Sequence, residues 1–429
     1  MKLLLTISTC LLIFQQTFAQ PAANAINDEE VIRRVADKIL SESTLGFEGV
    51  YNQQTYGTAK DIPDTVRVRL KSTFTGWGYP NGVLNMAMLN LAAFLNEPKY
   101  AEHPRKQLAF AFDNYKLFEQ RYQKIQAATN GEPTVQQRRT LPFSSIFVMR
   151  ELDDLGAMGA SLLDVYQTEK RDDYLAYLKK AANHIINIQD RFPDGTLSRK
   201  VPYPLTLWAD DLYMSVPFLV RMTRLTGDKK YVDDAIKQVI NFNKYLWDDR
   251  RELYYHCYFN DVKKNGVAYW GRCNGWIMIA TIHLLNFLPE NHPQRKAIIA
   301  NLERQILGIA KYQGPDGLWH QLLDKPDSYL ESSCTAMFTY GIARAVNQGW
   351  IDKRYASIAV NGWNALKTKE ITPEGYMKDV CVGTGISSDL VFYYTRPART
   401  NDTHGLGSLI DAGIEVMKYK KAAAAQPRQ

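Results

Sequence analysis

Cysteine is scarce in this chain: five in 429 residues, one of them inside the N-terminal apolar run. The other four, Cys257, Cys273, Cys334 and Cys381, stand far apart. They lack the short spacings of metal ligands, which argues against a structural zinc site and a disulfide framework. A chain this long buries its own core, so buried free thiols are expected, with no metal and no other cofactor. There is no Gly-rich phosphate loop, nucleophile-elbow motif or zinc-ligand helix motif. No Pro/Gly/Ser-rich stretch marks a linker, so residues 20–429 are read as one domain, expected as a monomer. Beyond the first 19 residues no apolar run is long enough to span a membrane. The formal charge of +7 is thinly spread. Its one dense stretch, KYKKAAAAQPRQ, is read as a short basic C-terminal tail. Without a basic stripe interleaved with aromatics, nucleic acid is not an expected partner, and the excess suits an acidic small substrate.

What is plentiful is apolar and aromatic residues, 45% and 12% of the chain, a composition that excludes disorder. The first 19 residues have a basic MK, the apolar core LLLTISTCLLIF and small residues in TFA before Gln20. That is the pattern of a secretory signal peptide, and it predicts export to the periplasm or beyond.

The rest repeats a theme. NEPKYAEHPRKQLAF, TEKRDDYLAYLKKAANHI, TGDKKYVDDAIKQVINF and IDKRYASIAVNGWNALK each place apolar residues at three- and four-residue steps, the mark of a helix with one wet face. A more apolar helix accompanies each, as in LGAMGASLLDVY or GWIMIATIHLLNFL. Turn chemistry follows the outer helices: PDGTL at 193, PDGLW at 315 and PEGYM at 373. The unit recurs about every 60 residues, which predicts stacked αα-hairpins. Inner helices are expected to begin near Pro80, Leu155, Ala209, Arg272, Ser332 and His404. Six such hairpins make an all-α (α/α)6 barrel if the ring closes, and a solenoid if it does not.

The segments leading into the inner helices combine carboxylates, amides, Arg or His with aromatics or glycine: WGYPNG, RELDDLGAMGA, LWADDLYM, YWGRCNGW, SYLESSCTAM and TNDTHGLG. Parallel inner helices bring all six starts to one mouth, and helix starts favour anions. Aromatics beside polar groups suit sugar rings, so the mouth reads as a carbohydrate pocket. Asp210 and Asp211 point about 100° apart on a helix, so one faces the lumen while the other caps or supports. Asp153 and Asp154 form a second pair one repeat earlier. One carboxylate from each pair, brought together, would raise the other's proton affinity and make a general acid. Arg272 can hold a carboxylate, and Trp270 and Trp276 can stack on a sugar. His256 in LYYHCY lies just ahead of them. Glu331 is a helix-start carboxylate or a lumen residue. Trp319, His320 and His404 are further candidates.

WADDLYMSVPF, YWGRCNGW, DDLGAMGA, YLESSCTAMF and NDTHGLG together resemble the unsaturated rhamnogalacturonyl hydrolases, glycoside hydrolase family 105, in register from about Tyr79 to Lys418. The unsaturated glucuronyl hydrolases of family 88 are a more distant match. The resemblance implies an (α/α)6 barrel and a metal-free reaction on lyase-generated oligosaccharides, pectin fragments among them. These carry a 4,5-unsaturated uronic acid at the non-reducing end. An aspartic acid protonates C4 of the vinyl ether, water adds at C5, and the hemiketal opens to release the sugar. By this likeness Asp210 is the catalytic acid, and Asp153 or Asp154 the second carboxylate. Trp270, Arg272, Trp276 and His256 contact substrate. Asp211 stands where the family commonly has a small or hydroxyl residue, and is expected as a cap or support. Two other readings remain from the residues alone: an inverting glycosidase with two separated carboxyls, and a sugar-binding protein without turnover. A polysaccharide lyase is a weaker third.

Overall fold

The computed structural model describes residues 26–129 and 131–425, so the leader expected at 1–19 lies outside the described residues. Among these residues, twelve helices are ten residues or longer. They are α1 (Asp28–Glu42), α2 (Tyr79–Leu95), α3 (Pro98–Thr129), α4 (Gly156–Tyr166), α5 (Asp172–Asn183), α6 (Val216–Thr226), α7 (Lys230–Leu246), α8 (Gly271–Phe287), α9 (Arg295–Ala310), α10 (Ser332–Asn347), α11 (Ala356–Ala365) and α12 (Thr403–Ala425). The even-numbered helices are inner. Each packs on the next, and α12 packs back on α2, so the ring closes. This is an (α/α)6 barrel.

The two helix classes follow from their sequences. Helix α8 is buried on every side from Gly271 to Ile282, whereas α7 buries Tyr231, Val232, Ala235, Ile236, Val239 and Phe242 along one stripe. Small residues set the spacing of the ring. A Cβ at Gly156 would lie 1.6 Å from the Met214 carbonyl oxygen, and one at Gly82 2.4 Å from the Ala157 backbone. Five inner helices start within one residue of expectation. The third is split. A short helix, Asp210–Tyr213, precedes α6, whose second residue is Pro217. Proline has no N–H to continue the earlier turn, and the Ser215 hydroxyl bonds back to the Asp211 carbonyl at 2.8 Å.

The three Pro-Asp/Glu-Gly turns form as expected. Gly195, Gly317 and Gly375 take φ of 85°, 92° and 91°, closing antiparallel bridges Arg191–Leu197, Gln313–Trp319 and Ile371–Met377. The connection between α7 and α8 adds strand Cys257–Phe259, which pairs with Thr206–Trp208 and carries His256 to the start of the Asp210 helix. The basic run read as a tail begins as part of α12. Lys418 pairs with Glu415 and Lys420 with Asp28, so its first turns are anchored to α1. No described helix is long and apolar enough to cross a membrane.

Candidate active site

Backbone pairing fixes the central pair. The Ala209 N–H donates to the His256 carbonyl, and the His256 N–H to the Ala268 carbonyl, both at 2.9 Å. The buried Asn274 amide holds both the N–H and C=O of Tyr254, tying the start of α8 to the same hairpin. His256 Nε2 then lies 3.0 Å from Asp210 Oδ2, and Nδ1 lies 2.9 Å from the Tyr393 hydroxyl. That hydroxyl oxygen accepts from the Ser387 N–H at 3.2 Å, and burial holds the phenol protonated. Its O–H is therefore free to donate to Nδ1, leaving the Nε2 proton on the Asp210 side. Burial pulls Asp210 upward, but His256, Arg199 and Arg272 outweigh it and hold its carboxyl below the ordinary value.

Asp211 points elsewhere. It receives a forked grip from Arg199, whose Nη2 and Nε donate at 2.7–3.1 Å. The same guanidinium meets Asp153 at 2.8 Å and Glu151 at 3.2 Å, and lies 4.0 Å over the Trp208 ring. One positive charge thus serves three carboxylates, so the cluster favours keeping a proton. Burial pushes Asp211 up against Arg199's pull, and Glu151, the most loosely held, rises with burial to about 7.

Across the lumen, Arg272 is fully buried, 4.6 Å over Trp270, with His256 on the same indole at 4.7 Å. Its Nη groups donate to the carbonyls of Cys381 and Val382. Glu331 caps α10 through the Ser333 and Cys334 amides, and takes the Cys381 N–H at 2.8 Å. Trp276 lies beneath, 4.5 Å from Tyr213 and 6.2 Å from Tyr79. The Tyr79 hydroxyl meets His404 Nε2 at 2.7 Å, and Asp402 holds the other ring nitrogen. The indole N–H groups of Trp270 and Trp276 and Nε of Arg272 are buried without a partner among the described residues.

A barrel mouth with a carboxyl–imidazole pair, a buried arginine and two indoles has the chemistry to suit an acidic sugar. The model of Glycosyl Hydrolase Family 88 matches residues 53–420. The chain belongs to that family. It is therefore a glycoside hydrolase. The unsaturated rhamnogalacturonyl hydrolase YesR of Bacillus subtilis is 29% identical over 272 residues, 62% of this chain and 77% of that one. An unsaturated 3S-rhamnoglycuronyl hydrolase of an Alteromonas species is 32% identical over 222 residues, and the match spans 52% of its length. Among solved structures, a possible family 105 member from Salmonella enterica superposes with a TM-score of 0.73 at 23% identity, covering 96% of this chain and all of that one.

Against this family background, the expected residues divide. Asp210, His256, Trp270, Arg272 and Trp276 are brought together. Asp153 reaches the mouth through Arg199. Asp154 does not: its carboxylate accepts from the Ser145 hydroxyl and the Arg150 and Glu151 amides, so it fastens its own turn. Asp211 and Glu331 spend their carboxylates within the protein, the first on Arg199 and the second on capping α10. Trp319 is core. Its indole N–H donates to Ile309 and its ring packs on Phe338. It occupies the position that Leu197 and Met377 fill in the other two turn units, all three fully buried, so the repeat itself carried the signal. His320 stays within its own connection, bonded to the Ser328 carbonyl. Arg199, Tyr393, Tyr79 and Asp402 were not anticipated. Arg199 lies two residues beyond Leu197, and only the fold turns it toward Asp211. The four cysteines are buried and free, as expected.

Proposed function

We propose that the chain releases 4,5-unsaturated uronic acid from the non-reducing end of lyase-generated oligosaccharides, unsaturated rhamnogalacturonides of pectin foremost, after export. The observation that carries this is the unequal state of the carboxylates. Asp210 is free of direct arginine contact and paired with His256 beside Trp270, while Asp153 and Asp211 share Arg199. An inverting glycosidase needs a second carboxylate free to activate water, and Asp153 is engaged by Arg199 at 2.8 Å.

Vinyl-ether hydration needs one carboxyl in two states. Protonated Asp210 delivers its proton to C4, and positive charge develops at C5 and the ring oxygen. Water adds at C5 and returns a proton to the Asp210 carboxylate. The hemiketal opens by breaking the bond from C5 to the ring oxygen, giving a C5 ketone and a C1 hemiacetal, which breaks its bond to the leaving sugar and becomes an aldehyde. The resting site holds Asp210 low. A bound uronate adds a negative charge nearby, which raises the carboxyl and favours its uptake of a proton from solvent. The unpartnered donors of Trp270, Trp276 and Arg272 suit an acceptor-rich acidic ring.

The test is the ultraviolet absorbance of lyase-digested rhamnogalacturonan mixed with the purified protein. The signal should fall, and the fall should vanish in Asp210→Ala. No fall on this digest or on lyase digests of ulvan and glycosaminoglycans overturns the proposal.

A further inference from the structure

The mouth uses one end of the barrel. At the other, the last turns of α2, α6, α8 and α10 and the middle of α12 enclose a cavity of about 430 Å³, lined by Asn90, Arg221, His283, Tyr340, Arg344 and Asp411 among others. The two ends are separated inside the lumen by Trp276 and Tyr213, both buried, with Tyr213 5.9 Å from His283. Helix C-termini favour cations, yet this end also carries Arg224 and Lys418, so four basic side chains line it against two acids. None of the mechanism above uses them.

Several of these groups have unspent hydrogen-bonding capacity. Arg221 donates through Nε to Asp164 at 2.9 Å, and through Nη1 to the Pro217 carbonyl and to His283 Nδ1. Its Nη2 has no partner among the described residues. His283 is held neutral by burial and the two arginines. With Nδ1 accepting, its Nε2–H is a donor without a partner. Tyr340 is 8% exposed and its hydroxyl has none either. By contrast Glu415 is saturated by Arg344, Asn347 and Lys418. Asp411 spends only Oδ1, on Asn90 at 2.9 Å. The cavity therefore offers a guanidinium edge, two neutral donors and one free carboxyl oxygen. Asp411, which burial raises to about 7, repels a bare dianion such as phosphate in its ionised form, whereas Glu415 is already paired with Arg344 and Lys418. A ligand with one carboxylate and several hydroxyls satisfies both kinds of group, the carboxylate on Arg221 and a hydroxyl donating to Asp411.

We propose that this far end of the barrel is a second binding site, for a hydroxylated monocarboxylate of monosaccharide size. It does not depend on what the mouth hydrolyses. The probe is D-glucuronate, soaked into crystals of the protein and titrated calorimetrically, with D-glucose and inorganic phosphate as comparisons. Glucuronate density should appear in this cavity with its carboxylate against Arg221. Tyr340→Phe should weaken the titrated site about tenfold, the effect of losing one hydrogen bond to a charged group, and leave turnover of dilute substrate unchanged. Asp210→Asn should keep the site. An empty cavity in the soaked wild-type crystal overturns the proposal whatever the variants do. So does glucose or phosphate binding as tightly, or a Tyr340→Phe isotherm identical to wild type.

Discussion

Glu151→Gln isolates the charge imbalance around Arg199. The glutamate is raised from 4.5 to about 7, chiefly by burial, with Asp153, Asp154 and Asp211 adding repulsion and Arg199 opposing. A carboxyl raised on folding binds more protons in the native than in the unfolded state. Its contribution is fully present below 4.5 and is lost as pH climbs through 7. At about 1.36 kcal/mol per unit, the full shift corresponds to about 3 kcal/mol. The side chain is 31% exposed, and water screening reduces that to about 1.5 kcal/mol. Glutamine keeps a carbonyl oxygen for Arg199 and never ionises. Urea unfolding from pH 4.5 to 8 should therefore show wild type and variant together at the acid end. The variant should become more stable by about 1.5 kcal/mol at pH 8. A stability difference that does not change with pH, or a variant weaker at pH 8, would refute the argument that one guanidinium is overcommitted here.

Other consequences separate the neighbouring residues. Tyr393→Phe removes the bond that orients His256, and should lower kcat about tenfold with KM little changed; a rise in KM alone would contradict a positioning role. Asp154→Ala strands two backbone amides and a hydroxyl and should cost about 2 kcal/mol of stability with turnover retained. Asp153→Asn should instead leave stability near wild type and cut turnover about a hundredfold, because the negative charge of Asp153 at the mouth offsets the positive charge developing at C5, so the opposite pattern in unfolding and rate assays would exchange their roles. Trp319→Ala should lose about 3–5 kcal/mol in denaturant unfolding, and an altered KM in place of a stability loss would return it to the mouth.

The sequence alone determined the elements and their order. Apolar steps separated inner from outer helices, and helix starts came out within a residue in five of six cases because caps and turns are local chemistry. The glycines of the three turn units were legible for the same reason: a positive φ needs glycine wherever the chain lies. The resemblance located Asp210 and the residues around Trp270. Other matters required the tertiary structure. Ring closure depends on α12 meeting α2, a contact between the two ends of the barrel. The choice between Asp153 and Asp154, and between Asp210 and Asp211, rests on which partner each carboxylate finds. Adjacent residues differ by a rotation that only packing resolves into lumen, cap or ion pair. Arg199 and Tyr393 looked unremarkable in the chain, for a side chain's role in an electrostatic cluster comes from neighbours distant in sequence, and those are set by how the hairpins close the ring.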